Sequence, residues 1–225
     1  MDSTMAGLFV TFEGGEGTGK TTQLKALQAA LRATGRDALE TRDPGGTPIG
    51  NQVRAILLDR ENVRMTAPTE LLLYEASRVQ LVQEVIRPAL VAGRIVLCDR
   101  FTDSTVAYQG YGRGLDLGLV ARLNALGADG LAPDLTFLLD LDPAVGLARA
   151  AERLSSPRKA EDRMEGETLA FHQRVRVGYH ALAAAEPARF AVLDASRGIV
   201  EIEIEVRRRL EARLRDGAAS RAGAA

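Results

Sequence analysis

The run Leu8-Phe9-Val10-Thr11-Phe12-Glu13-Gly14-Gly15-Glu16-Gly17-Thr18-Gly19-Lys20-Thr21-Thr22 constrains this chain more than any other stretch. A short apolar, β-prone segment feeds a glycine-rich turn, and the turn closes on Gly-Lys-Thr where a helical pattern begins. Gly14 to Thr21 fits G-x-x-x-x-G-K-[ST] in the strand–loop–helix context that a phosphate-binding reading requires. Glycines let successive N–H groups turn inward around an anion with no Cβ in the way. Lys20 can reach the β- and γ-phosphates, Thr21 can ligate Mg²⁺, and the helix N-terminus adds its own positive field. The segment predicts a nucleoside triphosphate site.

Apolar strand-like runs alternate with helical patterns along the rest of the chain, which predicts an α/β fold of the P-loop NTPase type. Its sheet would be five-stranded and mainly parallel, with helices on both faces. Strands are expected near 8–12, 37–41, 94–98, 134–140 and 190–194. Helices are expected over 20–33, 48–59, 68–91, 116–126, 143–153, 166–184 and 199–214. Gly93 is placed to cap the third helix, and Asp142-Pro143 to start the fifth. At 225 residues the chain suits one domain over 1–216. Ser155-Ser156-Pro157-Arg158-Lys159 interrupts two helical runs and reads as a mobile lid over about 154–165. The small residues of 217–225 read as a disordered tail.

Bulk properties exclude several classes. With 29 basic against 30 acidic residues the net charge is −1, which argues against a nucleic-acid surface. The chain shows no apolar run of membrane-spanning length and no signal peptide, so a cytoplasmic protein without membrane contact is expected. The lone Cys98 lies in an apolar strand pattern and reads as a buried structural thiol. His172 and His180 are expected to be exposed or satisfied, and no metal-ligand spacing is visible.

A phosphate loop alone does not separate switches, motors and kinases. Asp99-Arg100 follows the third strand, at the sheet edge where parallel α/β proteins place ligands. Asp99 can hold the Mg²⁺ shell opposite Thr21, while Arg100 can clamp a second phosphate. Arg42 and Arg78 also stand at element ends, and guanidinium forks suit a phosphate monoester.

At this point the chain resembles the thymidylate kinase family from about Leu8 to Leu214. The matching blocks are Phe12 to Thr22, Thr41-Arg42-Asp43-Pro44-Gly45-Gly46-Thr47, Glu75-Ala76-Ser77-Arg78 and Asp99 through Gly110. Gly112-Arg113-Gly114, Pro133 to Asp140 and Asp162-Arg163-Met164-Glu165 follow in order. The resemblance implies transfer of the γ-phosphoryl of MgATP to dTMP for dTTP synthesis. It makes ATP and Mg²⁺ the cofactors and dTMP the partner substrate, and implies a homodimer joined through long helices.

The resemblance also assigns roles to particular residues. Glu16 matches an acidic loop residue that arranges Mg²⁺ and the acceptor end. Arg100, Arg42 and Arg78 match residues holding the acceptor phosphate. Tyr74 stands where the family usually stacks a phenylalanine on thymine. Ser104, Thr105, Tyr108 and Gln109 match the region reading base and deoxyribose, with Tyr108 disfavouring ribose. Gly17 replaces a loop arginine found in some members, which implies that lid arginines supply the missing charge. Arg153 is the first choice and Arg149 the second, ahead of Arg158 and Arg163. Arg197, in the turn after the last strand, falls where the family forms part of its adenine pocket.

The alternatives are a kinase of another nucleotide or of a nucleoside, a guanine-nucleotide switch, and a dead scaffold. A nucleoside substrate would leave the arginine set with nothing to bind. No Asn/Thr-Lys-x-Asp segment is present for guanine, and Glu16, Lys20, Thr21, Asp99 and Arg100 are all intact.

Overall fold

The computed structural model describes residues 7–154 and 163–222, with side chains over 7–152 and 163–216. Five parallel strands form one sheet in the order β2-β3-β1-β4-β5. They are β1 (Leu8–Glu13), β2 (Ala38–Arg42), β3 (Ile95–Asp99), β4 (Leu135–Asp140) and β5 (Phe190–Asp194). Central β1 pairs with β3 in the register Val10↔Leu97 and with β4 in the register Val10↔Leu135. Alternation along β1 sets the two cores. Val10 and Phe12 pack with Leu24, Leu27, Ile202 and Val206 beneath α1 (Lys20–Ala33) and α9 (Ile199–Ala222). Phe9 points the other way, into a cluster with Leu81, Ile86, Val96 and Phe101.

That second face is covered by α3 (Ala67–Leu81), which passes through a π-helical turn at Val82–Ile86 into α4 (Arg87–Val91). The expected single helix over 68–91 is therefore one rod with a π-bulge, and Gly93 follows it with φ 75°. Beside it lies α8 (Leu169–Ala185), whose Phe171, Val175 and Tyr179 join Leu138 and Phe190. Shorter α2 (Pro48–Leu58) and α6 (Leu117–Gly127) flank α3. Their starts are legible: Thr47 accepts the Gly50 N–H before Pro48, and Asp116 accepts the Leu119 N–H. Asp142 likewise accepts the Ala144 N–H at the start of α7 (Pro143–Leu154).

Two features differ from expectation. Residues 102–112, outside every expected helix, form α5 (Thr102–Thr105) and a π-helical segment over Val106–Gly112. Gly110, Gly112 and β-branched residues hide any helical stripe there, and packing against α8 supplies the order. The last helix runs on to Ala222, past the expected end at 214 and into the supposed tail. The alanines of Gly217-Ala218-Ala219 favour continuation more than the glycine opposes it. Residues 155–162 of the expected lid lie outside the described residues; Met164, near its end, is buried against the α8 cluster.

Candidate active site

The C-terminal ends of β1, β2 and β3 open onto a cavity of about 900 Å³, lined by the glycine-rich loop on one side and by Arg42, Tyr74, Arg78 and Tyr108 on the other. Gly14, Gly17 and Gly19 have φ of 135°, 66° and 88°, a left-handed path that curls the loop. Gly17 also has no room for a side chain, because a Cβ there would overlap the carbonyl oxygen of Gly146 in α7. Any arginine at this position is sterically barred, which agrees with positive charge being supplied from elsewhere.

Lys20 folds over the loop, its Nζ 2.6 Å from the Gly15 carbonyl and 3.2 Å from that of Gly14. Burial and the nearby Arg100 cation bring its ammonium down to about 8. Thr21 donates its hydroxyl to Asp99 Oδ2 at 2.7 Å, bringing the two expected Mg²⁺-shell residues together across 78 positions of sequence. This hydroxyl and carboxylate are hard oxygen donors of the kind that share Mg²⁺ with bound phosphates.

Arg100 stands at the centre. It is a non-glycine residue at φ 70°, held by its own N–H to the Phe12 carbonyl. Its Nη1 reaches the Gly14 carbonyl, Ser104 and Tyr179; its Nη2 reaches Glu16 at 2.8 Å and Tyr108 at 3.1 Å. The guanidinium lies over the Tyr108 ring, 4.9 Å from its centre. Burial opposes the charge of Glu16, but Arg100, Lys20 and the Tyr108 hydroxyl outweigh it and hold the carboxyl near 2.

Arg78 differs from its expected role. Only 1% of it is exposed; Nε donates to Asp43, Nη1 to Glu75 and Asn124, and Nη2 to Thr105. One of its five N–H groups remains, so it lines the cavity as a fixed floor and not as a free phosphate fork. Gln109 is equally committed, its amide donating to Glu70. Arg42 is exposed at the rim, with Asn51 as partner, and Tyr74 is half-buried on the cavity wall.

The lid arginines divide. Arg149 donates to the Ala195 carbonyl beyond β5, and Arg163 to the Leu57 carbonyl while pairing with Glu70. Both are anchored to protein groups away from the phosphate loop. The Arg153 side chain and all of Arg158 lie outside the described residues. Arg197 pairs with exposed Glu201 and is absent from the cavity lining. Cys98 is fully buried, and burial pushes its thiol up, as a structural cysteine requires. His180 pairs with Asp140, whereas His172 is buried with its Nε2 unpartnered, unlike the satisfied histidine expected.

Sequence reasoning missed Glu13, Tyr179, Asp43, Glu70 and Asn124, which position the arginines. Glu13 stands beside the loop and Asp43 in the Asp-Pro-Gly-Gly-Thr block, both in view in the sequence; Glu70, Asn124 and Tyr179 come from α3, α6 and α8 and carry no local signal.

A parallel sheet with this loop, Lys20, and a Thr21–Asp99 pair defines a P-loop phosphotransfer protein, and an arginine-lined pocket beside it provides for a second anion. The thymidylate kinase family profile matches residues 12–206. Thymidylate kinase of Solidesulfovibrio magneticus is 61% identical over 191 residues, covering 84% of this chain and 91% of that one. That of Deinococcus radiodurans is 56% identical, with 89% and 94% covered. The crystal structure of thymidylate kinase from Ehrlichia chaffeensis superposes with a TM-score of 0.72 at 34% identity, over 91% of this chain and 98% of that one. The chain belongs to the thymidylate kinase family.

Proposed function

We propose that this chain transfers the γ-phosphoryl of ATP to the 5′-phosphate of dTMP, giving dTDP and ADP, with the loop and Arg100 as its two phosphate holds. The observation that carries this is the shared cavity: Lys20 and the loop N–H groups border it on one side, Arg100 and Arg42 on the other. A nucleoside acceptor would bring no anion to Arg42 at the rim or to Arg100, whose ion-pair partner among the described residues is Glu16.

ATP docks its phosphates in the loop, where Lys20 exchanges the Gly14 and Gly15 carbonyls for phosphate oxygens. Thr21 and Asp99 would hold Mg²⁺ with the bound ATP, with Glu16 arranging that end of the site, and the ion would supply neutralisation of charge on the transferred group. Arg100 and Arg42 hold the acceptor phosphate, already anionic, so no protein base is required and alignment carries the rate. Arg78, with a single N–H left, suits one carbonyl of the base, and Tyr74 can stack on it. Tyr108, pinned by Glu16 and Arg100, stands against the sugar. Arg153 is the first candidate for the charge that Gly17 cannot carry, since Arg149 and Arg163 have other partners.

Two finer readings have structural support. Leu72, Ala76 and Val79 form an exposed stripe on α3, beside exposed Ile49 and Ile56 on α2, which suits a homodimer through these helices. Among the described residues no helix is long and apolar enough to cross a membrane, in keeping with a cytoplasmic enzyme.

The test is a coupled assay of ADP release from MgATP across dTMP, dUMP, UMP, CMP, GMP, AMP and thymidine. Strong stimulation by dTMP, weaker by dUMP and none by thymidine is expected. Preference for another monophosphate would discard the roles given to Tyr74, Thr105 and Gln109.

A further inference from the structure

Glu13, the last residue of β1, is fully buried beneath the loop. Its Oε1 accepts the Phe101 N–H at 2.7 Å, and its Oε2 accepts the Ser104 and Tyr179 hydroxyls at 2.6 and 2.9 Å. Those two hydroxyl oxygens, 2.8 Å apart, are the ones that Arg100 Nη1 approaches at 3.2 and 3.1 Å. A hydroxyl carries one hydrogen. With both hydrogens directed at Glu13, the lone pairs of Ser104 and Tyr179 face the guanidinium. The same carboxylate fixes the peptide N–H immediately after Arg100, the residue held at φ 70°.

We propose that Glu13 is a positioning residue for phosphoryl transfer, which aims Arg100 at the acceptor phosphate by orienting the Ser104 and Tyr179 hydroxyls and anchoring Phe101. It does not line the cavity and acts on the acceptor through Arg100, so the inference rests on the reading of Arg100 given above. Any buried carboxylate needs donors; what ties this one to Arg100 is their identity. The three come from the turn after β3, from α5 and from α8, and two of them, Ser104 and Tyr179, also meet the Arg100 guanidinium.

Glu13→Gln tests this, because the shape stays while one oxygen becomes a donor. The amide nitrogen then faces either the Phe101 N–H or the two hydroxyls, so one accepting site is lost and the Ser104 and Tyr179 hydrogens must rearrange, toward each other or toward the guanidinium. Calorimetric affinities for dTMP and for ATP are measured for wild type, Glu13→Gln, Arg100→Ala and the double variant. Loss of a buried hydrogen bond to a charged group predicts dTMP binding weakened roughly 10- to 100-fold, with ATP affinity little changed. In the Arg100→Ala background Glu13→Gln should add nothing. Tyr179→Phe should weaken dTMP binding in the same sense by less, and stands in for Glu13→Gln should that variant fail to fold. Equal losses for both nucleotides, or a full loss persisting without Arg100, would make Glu13 a residue of the fold and overturn the inference. If Arg100→Ala itself left dTMP binding intact, the acceptor-phosphate reading would fail first.

Discussion

Taking a guanidinium out of water is costly unless its N–H groups find acceptors, and Arg78 finds four, on Asp43, Glu75, Asn124 and Thr105. The two carboxylates are themselves buried, and Asp43 is raised by that burial despite Arg78. Arg78→Ala would strand both, so about 3–5 kcal/mol of stability should be lost, read as a lower urea midpoint. Lysine at this position should not restore it, since one ammonium cannot replace the fork. The sequence shows an arginine in Glu-Ala-Ser-Arg but not which groups converge on it. Asp43 follows β2 and Asn124 lies in α6, and only the packing of α3 against its neighbours brings them together. Arg100, by contrast, was legible as a cavity residue, because it follows a parallel strand at the edge where such sheets place ligands, but the groups that aim its guanidinium were not.

At the scale of elements, α7 meets the phosphate loop through a pair of glycines. A Cβ on Gly146 would overlap the Glu16 carbonyl, as one on Gly17 would overlap that of Gly146. Gly146→Ala should therefore displace the loop where Glu16 is held, raising the KM for ATP and lowering stability by about 1–3 kcal/mol. Steady-state kinetics with a urea titration would check both. An unchanged KM for ATP would mean that the contact is slack. Strands and most helices could be read from apolar period and caps, within a few residues. The π-helical segment over Val106–Gly112 could not, since Tyr108 and Gln109 owe their geometry to α8 and Glu70 and not to local preference.

For the whole molecule, Glu13 couples stability to pH. Burial and the neighbouring Asp103 raise its carboxyl from 4.5 to about 7, against the pull of Ser104, Arg100 and the Phe101 N–H. Lys20 and the Tyr179 hydroxyl also feel its charge, and Asp103 is itself paired with Arg189. The folded chain thus holds a proton that the unfolded chain releases lower. The stabilisation is full below about pH 4.5 and is lost as pH rises through about 7. Urea midpoints should fall over that window and Glu13→Gln should flatten the fall, while dTMP affinity rises as the carboxylate forms. Midpoints that track pH equally in the variant would assign the effect to another group. The homodimer proposed through the exposed stripe on α3 makes a second prediction: the parent chain should sediment as a dimer and Leu72→Glu as a monomer. An unaltered dimer would move the interface elsewhere.

In the proposed mechanism one cavity holds two phosphates on separate machinery, ATP on the loop and the acceptor on Arg100. Calorimetric titration of Arg100→Ala with each nucleotide tests it most directly. Turnover should fall ~10³-fold or more and dTMP binding be largely lost, with ATP affinity within a few-fold of the parent. If ATP affinity collapsed together with turnover, Arg100 would belong to the loop and the separation of the two holds would be wrong.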